Sequence, residues 1–478
     1  VGPDVQDLYI EKINPADPVQ YEFEGEWQDM DVIEEVIHVN GGEDVTVDVR
    51  QTRHGPIIND IVDGQSDALA LSWTVQEENP IFQAILLLNE AQDYDDFREA
   101  LRYFHAPSQN VVYADVEGNI AYQTPGRIPV RADGDGLTPA PGWTGEYEWE
   151  DTIPYEELPA VLNPEEGFIV TANNAVTEES YPYNLAYYWA DGDRAQRITE
   201  LLEEAIARGD VNAGDFAQIQ MDGKTLLAES YIPLLEGMSS GDARVQAAIE
   251  RMRGWDLQTD PASVPAALFE VFNMQLANAT LADELGDARD DYLSNSGGAQ
   301  RVFLHQLAQQ PDARWWDDVT TAETEGREDI IERALSATVD WFEENVGSDM
   351  ESWTWGELHT ATFVSDPLGQ SGVGLIEGIV NRGPYAVGGT TSAVNATSWS
   401  WNNVAAVGGH PSMRLIVDMS DLDNGRVIHP TGQSGHPFHP HYDDFIEMWL
   451  NGEYRTLRLG RDAVQEAQVD TLLLRPQE

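Results

Sequence analysis

Apolar positions recur along this chain with two different periods, and the change of period divides it into three parts. Through the first part the period is two. Val45, Val47 and Val49 alternate with polar residues, which predicts a half-buried strand. The segments 110–113 and 119–122 flank Asp115-Val116-Glu117-Gly118, a hairpin signal. Residues 84–105 interrupt the strands with a helical pattern carried by Leu87, Leu88, Phe97 and Leu101. From residue 193 the period becomes helical. Ile198, Leu201, Leu202, Ala205 and Ile206 form one stripe, and Gly209 follows as its stop. Residues 262–285 predict a second helix. A third stripe runs through Ile330, Ile331, Ala334, Leu335, Thr338, Val339 and Phe342, with Gly347 behind it. From residue 352 strands and Gly-rich turns return, with the segment 414–418 as a short buried strand. The expected division is a β-rich part over 1–192, a mainly helical section over 193–351, and a second β-rich part over 352–478 returning to the same core. This is an α+β layered body rather than separate beads.

Charge changes the picture of the solvent more than that of the fold. The 478 residues carry a formal charge of −59, yet 41% are hydrophobic and 14 are Trp, enough for cores. The acids are spread along the chain and read as a solvated shell, not as a disordered tail. Nucleic acid and anionic lipid are excluded as partners, because both are held by clustered Lys and Arg. Lys12 and Lys224 are the only lysines. Few lysines with many acids resembles proteins of extreme halophiles. Repulsion between carboxylates reaches roughly 10 Å at 0.1 M salt and about 3 Å at 1 M. With no Cys, disulfides, thiolate catalysis and Cys-ligated metals are excluded. No apolar run approaches the roughly 18 residues of a transmembrane segment. The compartment is left open: a soluble protein of a high-salt environment, with export or cell-surface association compatible with it.

Several segments carry candidate chemistry. His436, His439 and His441 could ligate a transition metal or form a surface loop. His54, before Gly55-Pro56, is a general-base candidate or a turn residue bonded to its own backbone. Gly388-Gly389-Thr390-Thr391-Ser392 lacks the Lys of a phosphate loop. Asn173 and Asn174 end an apolar run, where a side-chain amide serves either a turn or an oxyanion. Arg194 opens a helix whose dipole favours acids there, and this conflict favours a specific partner for it. Asp4, Gln6 and Asp7 are closely spaced oxygen ligands of the kind Ca²⁺ takes.

Taken in order, the motifs resemble the penicillin acylase (penicillin amidase) family of N-terminal-nucleophile hydrolases. They are the segments 1–12, 52–56, 113–115 with 118–122, 141–143, 169–174, 192–198, 353–356, 411–414, and 432–435 with 441–442. The resemblance spans essentially the whole chain and identifies it as most of a large (beta) subunit. It implies a four-layer αββα sandwich with a mainly helical insert. It also implies autoproteolytic processing, a small (alpha) chain as partner, and hydrolysis of linear N-acyl amides through an acyl-enzyme. Asn173 matches the oxyanion-hole Asn and Arg194 the Arg that orients the site. Asp4, Gln6 (through its carbonyl) and Asp7 match structural calcium ligands, while Asn184 stands where the family has a further acidic ligand. No organic cofactor is implied. The nucleophilic Ser and the second oxyanion donor are expected upstream of Val1, so the 478 residues alone are expected to be inactive. Two alternatives stay open: a non-catalytic relative that binds calcium or a protein, and a metalloamidase built on the histidine cluster.

The charge pattern generates one prediction. The melting temperature rises by many degrees between 0.1 M and 3 M KCl, followed by circular dichroism; equal values at both salts would contradict it.

Overall fold

Alternation along one strand sets the problem that the N-terminal part of the fold has to solve. In strand Gln6–Glu11, Asp7, Tyr9 and Glu11 turn inward and Gln6 stays exposed. Two carboxylates are therefore buried on one strand face, and each requires a partner. The strand pairs antiparallel with Ala68–Trp73, Tyr9 opposite Ala70, and parallel with Ala140–Pro141. These coordinates, a computed structural model, describe residues 4–61, 66–294 and 298–475. Val1, Gly2 and Pro3, which open the first motif, lie outside the described residues.

The chain divides into two compact units. One comprises Val1–Thr171 and Ala175–Tyr188, the other Ala172–Asn174 and Trp189–Glu478. The helical stretch and the C-terminal strands thus belong to one unit, together with Ala172–Asn174 and residues 189–192 from the strand-rich part.

In the first unit, Val111–Ala114 and Ile120–Gln123 form the expected hairpin, with Ala160–Leu162 on its other side. Asp115 holds the turn by accepting hydrogen bonds from the backbone N–H of Glu117 and Asn119, each at 2.9 Å. The pattern over 84–105 resolves into two helices, Ile81–Glu90 and Tyr94–Leu101. Asp93 breaks the run because its side chain caps the second helix, accepting from Asp96 N–H at 3.0 Å. Val45 and Val47 do lie in a strand, Val45–Thr52, but both are exposed. Its partner Asp31–Ile37 is exposed throughout, so alternation marked a face that the described residues do not cover.

The second unit opens with helix Asp193–Arg208, ended by Gly209 at φ +86°. Helix Val264–Leu285 starts at Ser263, whose hydroxyl accepts from Ala266 N–H. It packs on Arg327–Asn345 and Ala243–Arg253. All seven apolar-stripe residues from Ile330 to Phe342 are buried, beside Trp353 and Trp355. Strand Arg414–Ile416 pairs with Gly425–Ile428, which pairs with Arg455–Leu457. Among the described residues no helix is long and apolar enough to cross a membrane.

Candidate active site

Asn173 adopts a backbone conformation that few side chains tolerate. Its φ is +64°, in the left-handed region where Asn is favoured among non-glycine residues. Two contacts hold it there. Its carbonyl accepts from Ala190 N–H at 2.9 Å, and its side-chain Oδ1 accepts from Arg194 Nη2 at 2.8 Å. The same Nη2 donates to the carbonyl of Ala172, also at 2.8 Å. Anchoring Oδ1 turns the Nδ2 end of the amide away from the guanidinium. Nδ2 makes no hydrogen bond among the described residues, and the residue is exposed.

Arg194 is the second residue of its helix, at the positive end of the dipole. The two carbonyl-type oxygens it holds offset that conflict. Burial lowers its pKa and the nearby Asp191 opposes the shift; a guanidinium remains charged throughout the working range. Arg194 makes no ion pair among the described residues, whereas Arg197, one turn on, is tied to Asp222 and Glu200. Its guanidinium is therefore held beside the Asn173 amide by neutral oxygens, with Asp191 near it but not in contact. Before it, Asp193 carries a buried Oδ2 with no hydrogen-bond partner among the described residues. Burial, then the charges of Asp191 and Glu229, push its pKa up to about 7. Nothing in the sequence marks this acid, because Asp is common at helix starts.

The expected calcium ligands are arranged differently. Arg131 binds both aspartates: Nε and Nη2 reach the two Asp7 oxygens at 2.8 and 2.7 Å, and Nη1 reaches Asp4 Oδ2 at 2.6 Å. Trp149 Nε1 donates to Asp7 at 2.6 Å and Asn184 Nδ2 to Asp4 at 3.1 Å. The Gln6 side chain is exposed on the opposite face of the strand. A set in which five N–H groups converge on two carboxylates does not fit Ca²⁺, which needs six to eight oxygens.

A sequence profile of the family described as penicillin amidase matches residues 1–466. The chain belongs to the penicillin amidase family. It is 30% identical over 476 residues to acyl-homoserine lactone acylase QuiP of Pseudomonas fluorescens, covering 95% of this chain and 57% of that protein. It is 26% identical over 481 residues to penicillin acylase 2 proenzyme of a Pseudomonas species, covering 93% and 56%. The chain thus spans somewhat over half the length of these relatives. A thermostable penicillin G acylase from Alcaligenes faecalis superposes with a TM-score of 0.71 at 22% identity, covering 100% of this chain and 88% of that one. That likeness shows the fold: the N-terminal-nucleophile hydrolase fold that the motifs implied, α+β in class.

Within this penicillin amidase relative the histidines do other work. His54 is buried, stacked on Tyr9 at 3.9 Å between ring centroids. Its Nδ1 meets Glu11 and its Nε2 meets Glu148, each at 2.8 Å. Neither nitrogen is left to serve as a base, and neither bonds its own turn. Burial alone would lower the ring's pKa; the two carboxylates reverse the direction and raise it. In the 436–441 loop, Nδ1 of His436 and of His439 each accept a local backbone N–H, and His441 pairs with Asp444. Among the described residues no cluster of three or more His, Cys, Asp or Glu could hold a metal. The carbonyls of Gly388 and Gly389 accept from Thr397, Asn395 and Trp355, so that turn is a packing element.

Asp193 generates a pH prediction. Its folded pKa near 7 lies above the usual 3.9, so the folded state holds a proton there that the unfolded chain gives up. Stability from this group falls as pH rises from about 4 to 7 and is level above. Asp193→Asn therefore gains little at pH 4.5 and raises the urea midpoint at pH 8, both in molar salt. An equal gap at both pH values would contradict the assignment.

Proposed function

We propose that the complete protein hydrolyses N-acyl amides through an acyl-enzyme, with Asn173 stabilising the tetrahedral oxyanion. The hydrogen bond from Arg194 Nη2 to Asn173 Oδ1 carries this reading. It orients the amide so that Nδ2 is the end available to a developing negative charge. An exposed, pre-oriented N–H donor is what an oxyanion hole requires, because it needs no reorganisation as charge develops. The guanidinium behind it adds positive potential without occupying the donor.

The rest of the machinery follows family logic. The nucleophile is an N-terminal Ser of the large chain, outside these 478 residues, released by autoproteolysis. Its own α-amino group acts as base through a bridging water, takes the hydroxyl proton and returns it to the leaving amine. Water then attacks the acyl-enzyme through the same base. A second backbone N–H beside the nucleophile completes the oxyanion hole, and the small chain from the same precursor is the partner. Relatives named for acyl-homoserine lactones and for penicillin support an N-acyl amide as the substrate class. Asn173 and Arg194 act on the amide carbonyl common to both.

The test is turnover of an N-acyl panel by the complete protein in molar salt. Asn173→Gly keeps the left-handed backbone without strain and removes only the amide. It lowers kcat by about 10²–10³ with KM little changed, the cost of one oxyanion donor. The 478-residue chain alone gives no turnover. Retention of half the parental kcat by Asn173→Gly, or hydrolysis by the isolated chain, would overturn this reading.

A further inference from the structure

We propose that Arg131 is the resident cation of the Asp4–Asp7 site, so that this part of the fold holds without a divalent metal there. The inference is independent of the proposed activity and rests on how the groups around the two acids are chosen. The side chains of Asp7, Arg131 and Asp4 are 6%, 8% and 12% exposed, so all three charges are withdrawn from solvent. In such surroundings a carboxylate must be matched by a charge and by hydrogen bonds. Arg supplies both through its planar fork, which a Lys does not. The guanidinium takes both oxygens of Asp7 and one of Asp4.

The neighbours complete a donor set. Trp149 and Asn184 present N–H groups, not oxygens, to the same acids. Asn184 is thereby explained: at the position where the family has a further acid, a carboxylate would face Asp4 with one guanidinium between three negative charges. The packing is equally specific. A Cβ on Gly136 would lie 2.3 Å from Asp7 Oδ1 and 2.6 Å from Arg131 Nη2, and Gly136 has φ +70°. The loop therefore closes directly over the ion pair. A cavity of about 140 Å³ beside it is lined by Asp133 and Asp135 as well as Arg131. Each of those acids turns one oxygen to its own loop, Asp133 to Gly134 N–H and Asp135 to Leu137 N–H.

The experiment is thermal unfolding of the complete protein in 3 M KCl, with either 5 mM CaCl₂ or 5 mM EDTA. The parent melts at the same temperature in both. Arg131→Gln melts lower by about 5 °C or more, as expected when one partner of a buried pair is removed. Adding Asp4→Asn and Asp7→Asn to Arg131→Gln restores most of that loss, because the unmatched charges are gone. The triple variant also keeps the test usable if the single variant fails to fold. A parental melting temperature raised by calcium, with the rise abolished in Asp4→Asn/Asp7→Asn, would overturn the proposal. So would an Arg131→Gln variant as stable as the parent.

Discussion

A chain with this excess of acid has to neutralise its buried carboxylates from a small supply of cations, and the fold is organised around where those cations go. Asp4 and Asp7 share Arg131. Glu11 and Glu148 share His54, and Glu148 also meets Arg53 at 3.1 Å. In the second unit Glu270 is fully buried, and burial raises its pKa against the charge of Arg301. That guanidinium lies over Trp399 and Trp401, 4.7 and 4.9 Å from the ring centroids. Trp399 Nε1 in turn donates to Glu270 at 2.8 Å. Such arrangements are costly to break, since an unmatched buried charge costs several kcal/mol. They tie segments far apart in sequence to one another: Arg131 is 124 residues from Asp7 and Glu148 is 94 from His54.

Arg194 is the contrast that gives the site its character. It hydrogen-bonds only neutral oxygens among the described residues, those of Ala172 and Asn173. An arginine in contact with a carboxylate would present a much weaker field to a substrate carbonyl. One held by amide and carbonyl oxygens keeps its positive potential and uses its N–H groups to orient Asn173. Three residues, Ala172–Asn174, belong to the unit that carries Arg194 rather than to the unit on either side of them in sequence. The short excursion places the amide in the same compact unit as the helix start that orients it.

The sequence was most legible where a local rule and the tertiary structure agree. The stripe from Ile330 to Phe342 is buried in full, because a long helix with one apolar face has one way to hide it. The Asp115 hairpin is local turn chemistry. The dipole conflict at Arg194 pointed to a partner, and Asn173 is that partner. Alternation failed at Val45 and Val47 because it says which face a residue takes and not whether that face is covered. Arg131 and the two acids held by His54 were illegible, because long-range ion pairs leave no spacing in the sequence.

A crystal of the complete protein soaked in calcium shows whether the counter-charge at Asp4 and Asp7 comes from the chain itself. Anomalous differences would be measured around Asp4 and Asp7. The expected result is the Arg131 guanidinium between the two carboxylates and no anomalous peak there. A peak about 2.3–2.6 Å from oxygens of both aspartates, with Arg131 turned away, would contradict it.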